Sequence, residues 1–218
     1  MHYMDINVIM EALRMKRIVF HSEADFQFAL AWEIQLHYPD ASIRLEYPPP
    51  NDPAKYIDIL VWLDNDVYPI ELKYKTRLLN AVVRGEQYHL KNHGAQDLGK
   101  YDFVKDINRI ESFSEHLSGY YKGYAIWLTN DSYYWNVPRN DTAGYSAFSV
   151  HNGAVKVGTM SWGANMTEGS IKTRERPITL SGNYCIDWHD FSRVDTKNGL
   201  FMYAVVTVDT PKLGVGGL

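Results

Sequence analysis

The stretch Tyr56 to Lys75 reads YIDILVWLDNDVYPIELKYK, and its pairing decides the fold. Two apolar runs flank LDND, which suits an antiparallel hairpin turning at Asp64-Asn65, both tolerant of positive φ. Counting outward from that turn sets Asp58 directly opposite Glu71. Side chains alternate along strands, so Lys73 shares that face, while Ile57, Ile59, Val61, Ile70 and Leu72 supply a core face. Like charges opposed on a sheet cost ~0.2–1 kcal/mol when exposed and more when buried. A divalent cation relieves such repulsion, and Mg²⁺ is typically held by one or two carboxylates, waters and phosphate oxygens.

The flanking sequence supplies helices and strands in a definite order. Residues from Asp5 to Lys16 read as a short helix capped by Asp5. HSEADFQFALAWEIQLHYPD reads as a stronger helix, capped by Ser22 with Asp25 three residues on and ended by Pro39. At about 100° per residue, Phe26, Leu30 and Ile34 form one stripe, which also carries Glu23 and His37. An acid on that stripe is directed toward the core. SIRLEY is a short strand halted by three prolines. After the hairpin, DFVKDINRIESFSEHL predicts a second core helix and YAIWLTND another strand.

An Asp on one strand, Glu-x-Lys on the next, an inward Glu on the preceding helix and a following helix and strand resemble the PD-(D/E)xK nuclease superfamily, the restriction-endonuclease-like fold. The matched residues are Asp58, Glu71 and Lys73, with Glu23 as the helix-borne acid, and the resemblance covers residues 20–130. Ile57 stands where the family name has Pro. The resemblance implies a mixed α/β fold with an αβββαβ core. It also implies a metal-dependent deoxyribonuclease, with RNA a less favoured substrate. Asp58, Glu71, the Leu72 carbonyl and Glu23 would hold Mg²⁺, or Mn²⁺ in its place, and Lys73 would orient or help deprotonate the attacking water. Many sequence-specific relatives dimerise, so a homodimer is a further expectation. Two other readings stay open: a catalytically silent member of the same fold, and a salt-bridge patch with no ligand.

Charge distribution says where a polyanion would sit. Net charge is −4, yet Lys73 to Lys100 carries six basic residues against two acidic ones, in an otherwise acidic chain. Lys75, Arg77, Arg84, Lys91, Gln96 and Lys100 are the candidate nucleic-acid contacts, the alternative being an ordinary solvated loop or helix face. The same resemblance implies that Gln96 and Tyr101 lie near substrate, although their spacing of five departs from the four usual in those members. His89 and His93 have helical spacing but no third ligand for zinc. The single Cys185 predicts a buried structural thiol, without a disulfide framework.

Residues 131–210 read as a β-rich extension packed on the core, within one domain spanning residues 1–218. There, Asn152-Gly153 predicts a hairpin between alternating runs, and ITLSGNYCIDW and LFMYAVVTV predict strands. GSIKTRERP reads as a surface loop. No apolar run approaches the roughly 20 residues that span a bilayer, and the first residues lack a signal-peptide pattern, so a cytoplasmic protein is expected.

Overall fold

The computed structural model describes residues 3–49, 56–139 and 143–209. Two helices come first, α1 (Ile6–Lys16) and α2 (Glu23–His37). Asp5 caps α1 by accepting from the Asn7 N–H, and Ser22 caps α2 by accepting from the Asp25 N–H, as their positions predict. Strands β1 (Ser42–Tyr47), β2 (Ile57–Leu63) and β3 (Asp66–Lys75) follow, then a hairpin of β4 (Leu79–Val83) and β5 (Glu86–Leu90). Helix α3 (Gln96–Phe113), strand β6 (Lys122–Thr129) and the single turn α4 (Ser132–Trp135) come next. Four strands end the described chain: β7 (Ala154–Met160), β8 (Ile178–Ile186), β9 (Trp188–Arg193) and β10 (Leu200–Asp209).

The protein is a mixed α/β fold around a six-stranded sheet of order β1-β2-β3-β6-β10-β9, with separate two-stranded sheets β4-β5 and β7-β8. Within the large sheet only β3 and β6 run parallel. A parallel pair needs a long crossover, here supplied by β4, β5 and α3. The β2–β3 register is the one counted from the turn: Leu63 pairs with Asp66 and Ile59 with Ile70. Asp64 carries the positive φ of 53° that closes the turn.

The sheet is covered on both faces. Helices α1 and α2 pack Ile9, Leu13, Phe26, Leu30 and Ile34 onto Ile59, Val61, Ile70, Leu72 and Ile126. On the other face, α3 packs Phe103, Val104, Ile107 and Ile110 onto Leu60, Ala125, Trp127 and Val206, with Ile178 and Leu180 of β8 beside it. Gly123 marks the closest approach, since a Cβ there would lie 2.1 Å from the Ile110 methyl. Strands β9 and β10 extend the same sheet, so the β-rich C-terminal half shares the core.

Four local expectations are corrected. The basic stretch folds largely as the β4–β5 hairpin, turning at Arg84 (φ 51°) and Gly85 (φ 84°), rather than as a loop or helix face. His89 therefore lies on a strand and not at helical spacing from His93. Asn152-Gly153 does not join two paired strands. The Asn152 amide oxygen accepts from the Trp188 N–H, a 3-10 turn at Ser146–Phe148 precedes it, and β7 pairs with the distant β8. Cys185 is exposed, because it falls on the outward positions of β8. Among the described residues no helix is long and apolar enough to cross a membrane.

Candidate active site

Strands β2 and β3 part just where the acids begin. The ladder ends at Ile59–Ile70, and beyond it backbone groups of both strands need other partners. The Leu72 N–H donates to Asp58 Oδ2 at 2.6 Å, and the Tyr74 N–H donates to Glu23 Oε2 at 2.7 Å. The Asp58 carbonyl accepts from Gln27 of α2 at 2.6 Å. The edge of β3 abandoned by β2 is thus occupied by two carboxylates, one from a strand and one from a helix start.

Glu71 and Lys73 point toward α3, which answers with charges of its own. Glu71 is 1 % exposed, and Arg109 lies 3.1 Å and 3.2 Å from its two carboxylate oxygens. Arg109 also donates to the Tyr56 carbonyl at 2.6 Å. Lys73 contacts Asp106 and donates to the Leu72 carbonyl at 3.1 Å. Glu71 Oε1 receives no well-angled hydrogen bond despite its buried position. Asp106 and Arg109 were not among the sequence candidates. The signal for Asp106 was present: it sits three residues after Phe103 and four before Ile110, an acid on an apolar helical stripe.

Four carboxylates thus neighbour two cations, Lys73 and Arg109: Glu71 and Asp106 are buried, Asp58 is half-buried and Glu23 is exposed at the rim. Burial pushes the Asp58 carboxyl up to about 6, with Asp106 and Glu23 adding repulsion against the Leu72 N–H and Lys73. Glu71 is raised well above the usual carboxylate range by burial, then by Asp106 and Asp58. Burial also raises Asp106, opposed by Lys73 and Arg109. Burial alone would lower Lys73, but the Asp106 carboxylate, with Asp58 and Glu23, outweighs it and keeps the ammonium firmly protonated.

A divalent cation would relieve this surplus of negative charge. Among the described residues no group of three or more His, Cys, Asp or Glu side chains is arranged to hold a metal ion. The set fits the smaller demand of Mg²⁺: Asp58 and the under-bonded Glu71 Oε1 as carboxylate donors, with water and phosphate oxygens completing the shell. One Glu23 oxygen accepts from the Tyr74 N–H and the Leu72 carbonyl accepts from Lys73, just as one Asp58 oxygen accepts from the Leu72 N–H.

Two adjoining clefts share Glu23 and Lys75. One, of about 390 Å³, contains Lys73, Lys105 and Arg109; the other, of about 320 Å³, contains Lys91, His21 and His89. The remaining basic candidates are dispersed. Arg77 pairs with the buried Asp131 at 3.0 Å, and Arg84 donates to the Lys16 carbonyl from the β4–β5 turn. Gln96 donates to Asp131, the Tyr101 hydroxyl to the Arg176 carbonyl, and Lys100 is buried beneath two tyrosines. Arg174, from the predicted surface loop, pairs with Asp102 of α3 at 2.7 Å.

No protein-family model, no curated protein and no solved structure matches the chain.

Proposed function

We propose that the protein is a Mg²⁺-dependent deoxyribonuclease of the restriction-endonuclease-like fold. One observation carries this reading: Asp58 and Glu71 converge where β2 leaves β3, with Lys73 on the same face and more negative charge than the protein itself neutralises. The order α2, β1, β2, β3, α3, β6 and the parallel β3–β6 pair support the fold relation.

Bound Mg²⁺ would supply a polarised phosphate and a water of lowered pKa. Lys73 faces that phosphate as a permanent ammonium held by Asp106, which suits it to stabilise developing charge and orient water rather than to accept a proton. Arg109 fixes the Glu71 carboxylate. Supercoiled plasmid, linear duplex and single strands incubated with Mg²⁺ or Mn²⁺, beside Asp58→Ala, test the reading. Metal-dependent nicking by the wild type alone is expected.

A specific observation favours a second reading, a structural ion-pair patch: Glu71 and Lys73 already have partners in Arg109 and Asp106. Calorimetry with Mn²⁺ separates the two, because a self-sufficient patch takes up no metal.

Glu23→Gln keeps an acceptor for the Tyr74 N–H and removes one negative charge. Under the hydrolase reading this variant folds normally but binds Mg²⁺ several-fold more weakly, with partial rescue by Mn²⁺ or excess Mg²⁺. Wild-type activity at limiting Mg²⁺ would confine Glu23 to its helix.

The DNA-binding face is tested separately by reversing Arg84 and Lys91, which are exposed. The slope of log affinity against log salt is expected to fall by about 0.9 for each phosphate that the variant no longer neutralises. Arg77 is unsuitable, since its reversal would disturb the buried Asp131. An unchanged slope would put the DNA elsewhere.

A further inference from the structure

We propose that a cleft at the carboxyl ends of β3 and β6, built around the Lys100 ammonium, binds a phosphate monoester. This inference stands without the hydrolase reading. Arg77 follows β3 and residues 130–133 follow β6, and in α/β sheets the crevice beyond the carboxyl ends of parallel strands is where ligands bind. The cleft encloses about 590 Å³, enough for a nucleotide-sized molecule.

Lys100 is 1 % exposed and lines this cleft. Its Nζ sits 4.0 Å from the centre of the Tyr133 ring and 4.8 Å from that of Tyr145. Among the described residues no ion pair or hydrogen bond holds it, and only the more distant Asp97 and Asp131 carboxylates oppose the cost of its burial. Cation–π attraction offsets only part of the cost of burying an ammonium, and buried charges are otherwise paired. Neither carboxylate touches the ammonium, so a place in direct contact with it is open to a bound anion.

The charge of the cleft says which anion. Its described lining has three cations, Arg77, Lys100 and Arg139, against one carboxylate, Asp131. Asp131 is already occupied: it pairs with Arg77, accepts from Gln96 at 3.2 Å and accepts from the Tyr133 N–H at 3.1 Å. Asp97 and Lys156 also act on Lys100 and offset each other, so the surplus is still two positive charges, which suits a phosphate monoester, carrying about −1.5 to −2, better than a carboxylate. That second buried lysine, Lys156, donates to the Ala147 carbonyl at 2.9 Å, and its positive potential at Lys100 works against that of Asp97 and Asp131. Burial lowers both amines to about 8, so both are still mainly charged at neutral pH.

A lysine with only a fold role here would be improved by an apolar replacement of similar length. Lys100→Met is therefore expected to melt no lower than the wild type while binding ligand poorly. The test titrates the full chain with inorganic phosphate, a nucleoside 5′-monophosphate and the unphosphorylated nucleoside, at constant ionic strength, followed by calorimetry and melting temperature. Both phosphate compounds are expected to bind and raise the melting temperature, the nucleoside to do neither, and Lys100→Met to weaken binding at least tenfold. A wild type that ignores phosphate and the monophosphate overturns the proposal, as does undiminished binding by Lys100→Met. Should that variant fail to fold, Arg139→Gln serves instead: a three- to tenfold loss supports the site and unchanged affinity overturns it. Oligonucleotides with and without a 5′-terminal phosphate identify the source. Tighter binding of the phosphorylated form, abolished in the variant, assigns the cleft to chain ends, and equal binding assigns it to free phosphate compounds.

Discussion

Asp58→Asn is expected to stabilise the metal-free protein at neutral pH and to abolish DNA cleavage. Asparagine keeps the size of the side chain and an oxygen that can accept from the Leu72 N–H, so the strand edge stays satisfied. What it removes is a carboxylate whose pKa burial has raised from 3.8 to about 6. A carboxyl raised in the folded state binds its proton more tightly there than in the unfolded chain. Its ionised form therefore costs stability in full above the folded value, and the cost disappears below the unfolded one. Between roughly pH 4 and 6 the wild type loses stability as pH rises, whereas the variant lacks this contribution. The shift corresponds to about 2–3 kcal/mol at pH 7. Urea melts in EDTA from pH 4 to 8 read the difference directly. Added Mg²⁺ should then stabilise the wild type and not the variant, since a ligand selective for the folded state adds stability by mass action. A variant less stable than wild type at pH 7 would mean that the charge of Asp58 holds the fold, and the functional reading of the patch would lose its basis.

The β2–β3 register was legible because two independent signals agreed on it, although the strands part at Ile59–Ile70 and so leave Asp58 and Glu71 just outside the ladder. The alternation of YIDILVW and VYPIELKY fixed which residues face inward, and Asp64-Asn65 fixed where counting starts. The stripe of Phe26, Leu30 and Ile34 is fully buried as expected, but Glu23 is exposed at the helix start rather than directed into the core, because one turn earlier the helix has reached the rim of the sheet, where its carboxylate meets the Tyr74 N–H. Legibility failed where a tertiary partner overrode a local pattern. Asn152-Gly153 has the composition of a hairpin turn, but the Asn152 amide is held by Trp188, thirty-six residues away. Helix α3 begins at Gln96, before the run from Asp102 that suggested it, and its cap Ala95 has no side-chain hydrogen bond. No residue type announced that start. The partners of the catalytic candidates were hidden for another reason: Asp106 and Arg109 gain meaning only once α3 is laid over β3. Lys100 was visible as a basic residue, and only its burial beneath Tyr133 and Tyr145 turns it from a surface charge into the centre of a cleft.

Lys73→Met is expected to have the largest cost in stability of any single change in the patch, about 3–5 kcal/mol. Asp106 is 5 % exposed and takes its principal compensation from Lys73, because the Arg109 guanidinium stands farther away at 3.9 Å. Without the lysine, the carboxylate faces Glu71 and Asp58 in a space that already repels them. Replacing both partners by apolar residues of similar size removes the uncompensated charge, so Lys73→Met with Asp106→Leu should recover most of the loss. Chemical denaturation of the two single variants and the double variant measures this coupling. Activity should follow a different course: the double variant regains its fold but not cleavage, since the ammonium that would face the phosphate is still absent. Recovery of cleavage with the fold would remove Lys73 from the chemistry and leave it a structural counter-ion. A single variant as stable as wild type would instead mean that Asp106 takes up a proton at little cost, so that the lysine is not what keeps this acid ionised.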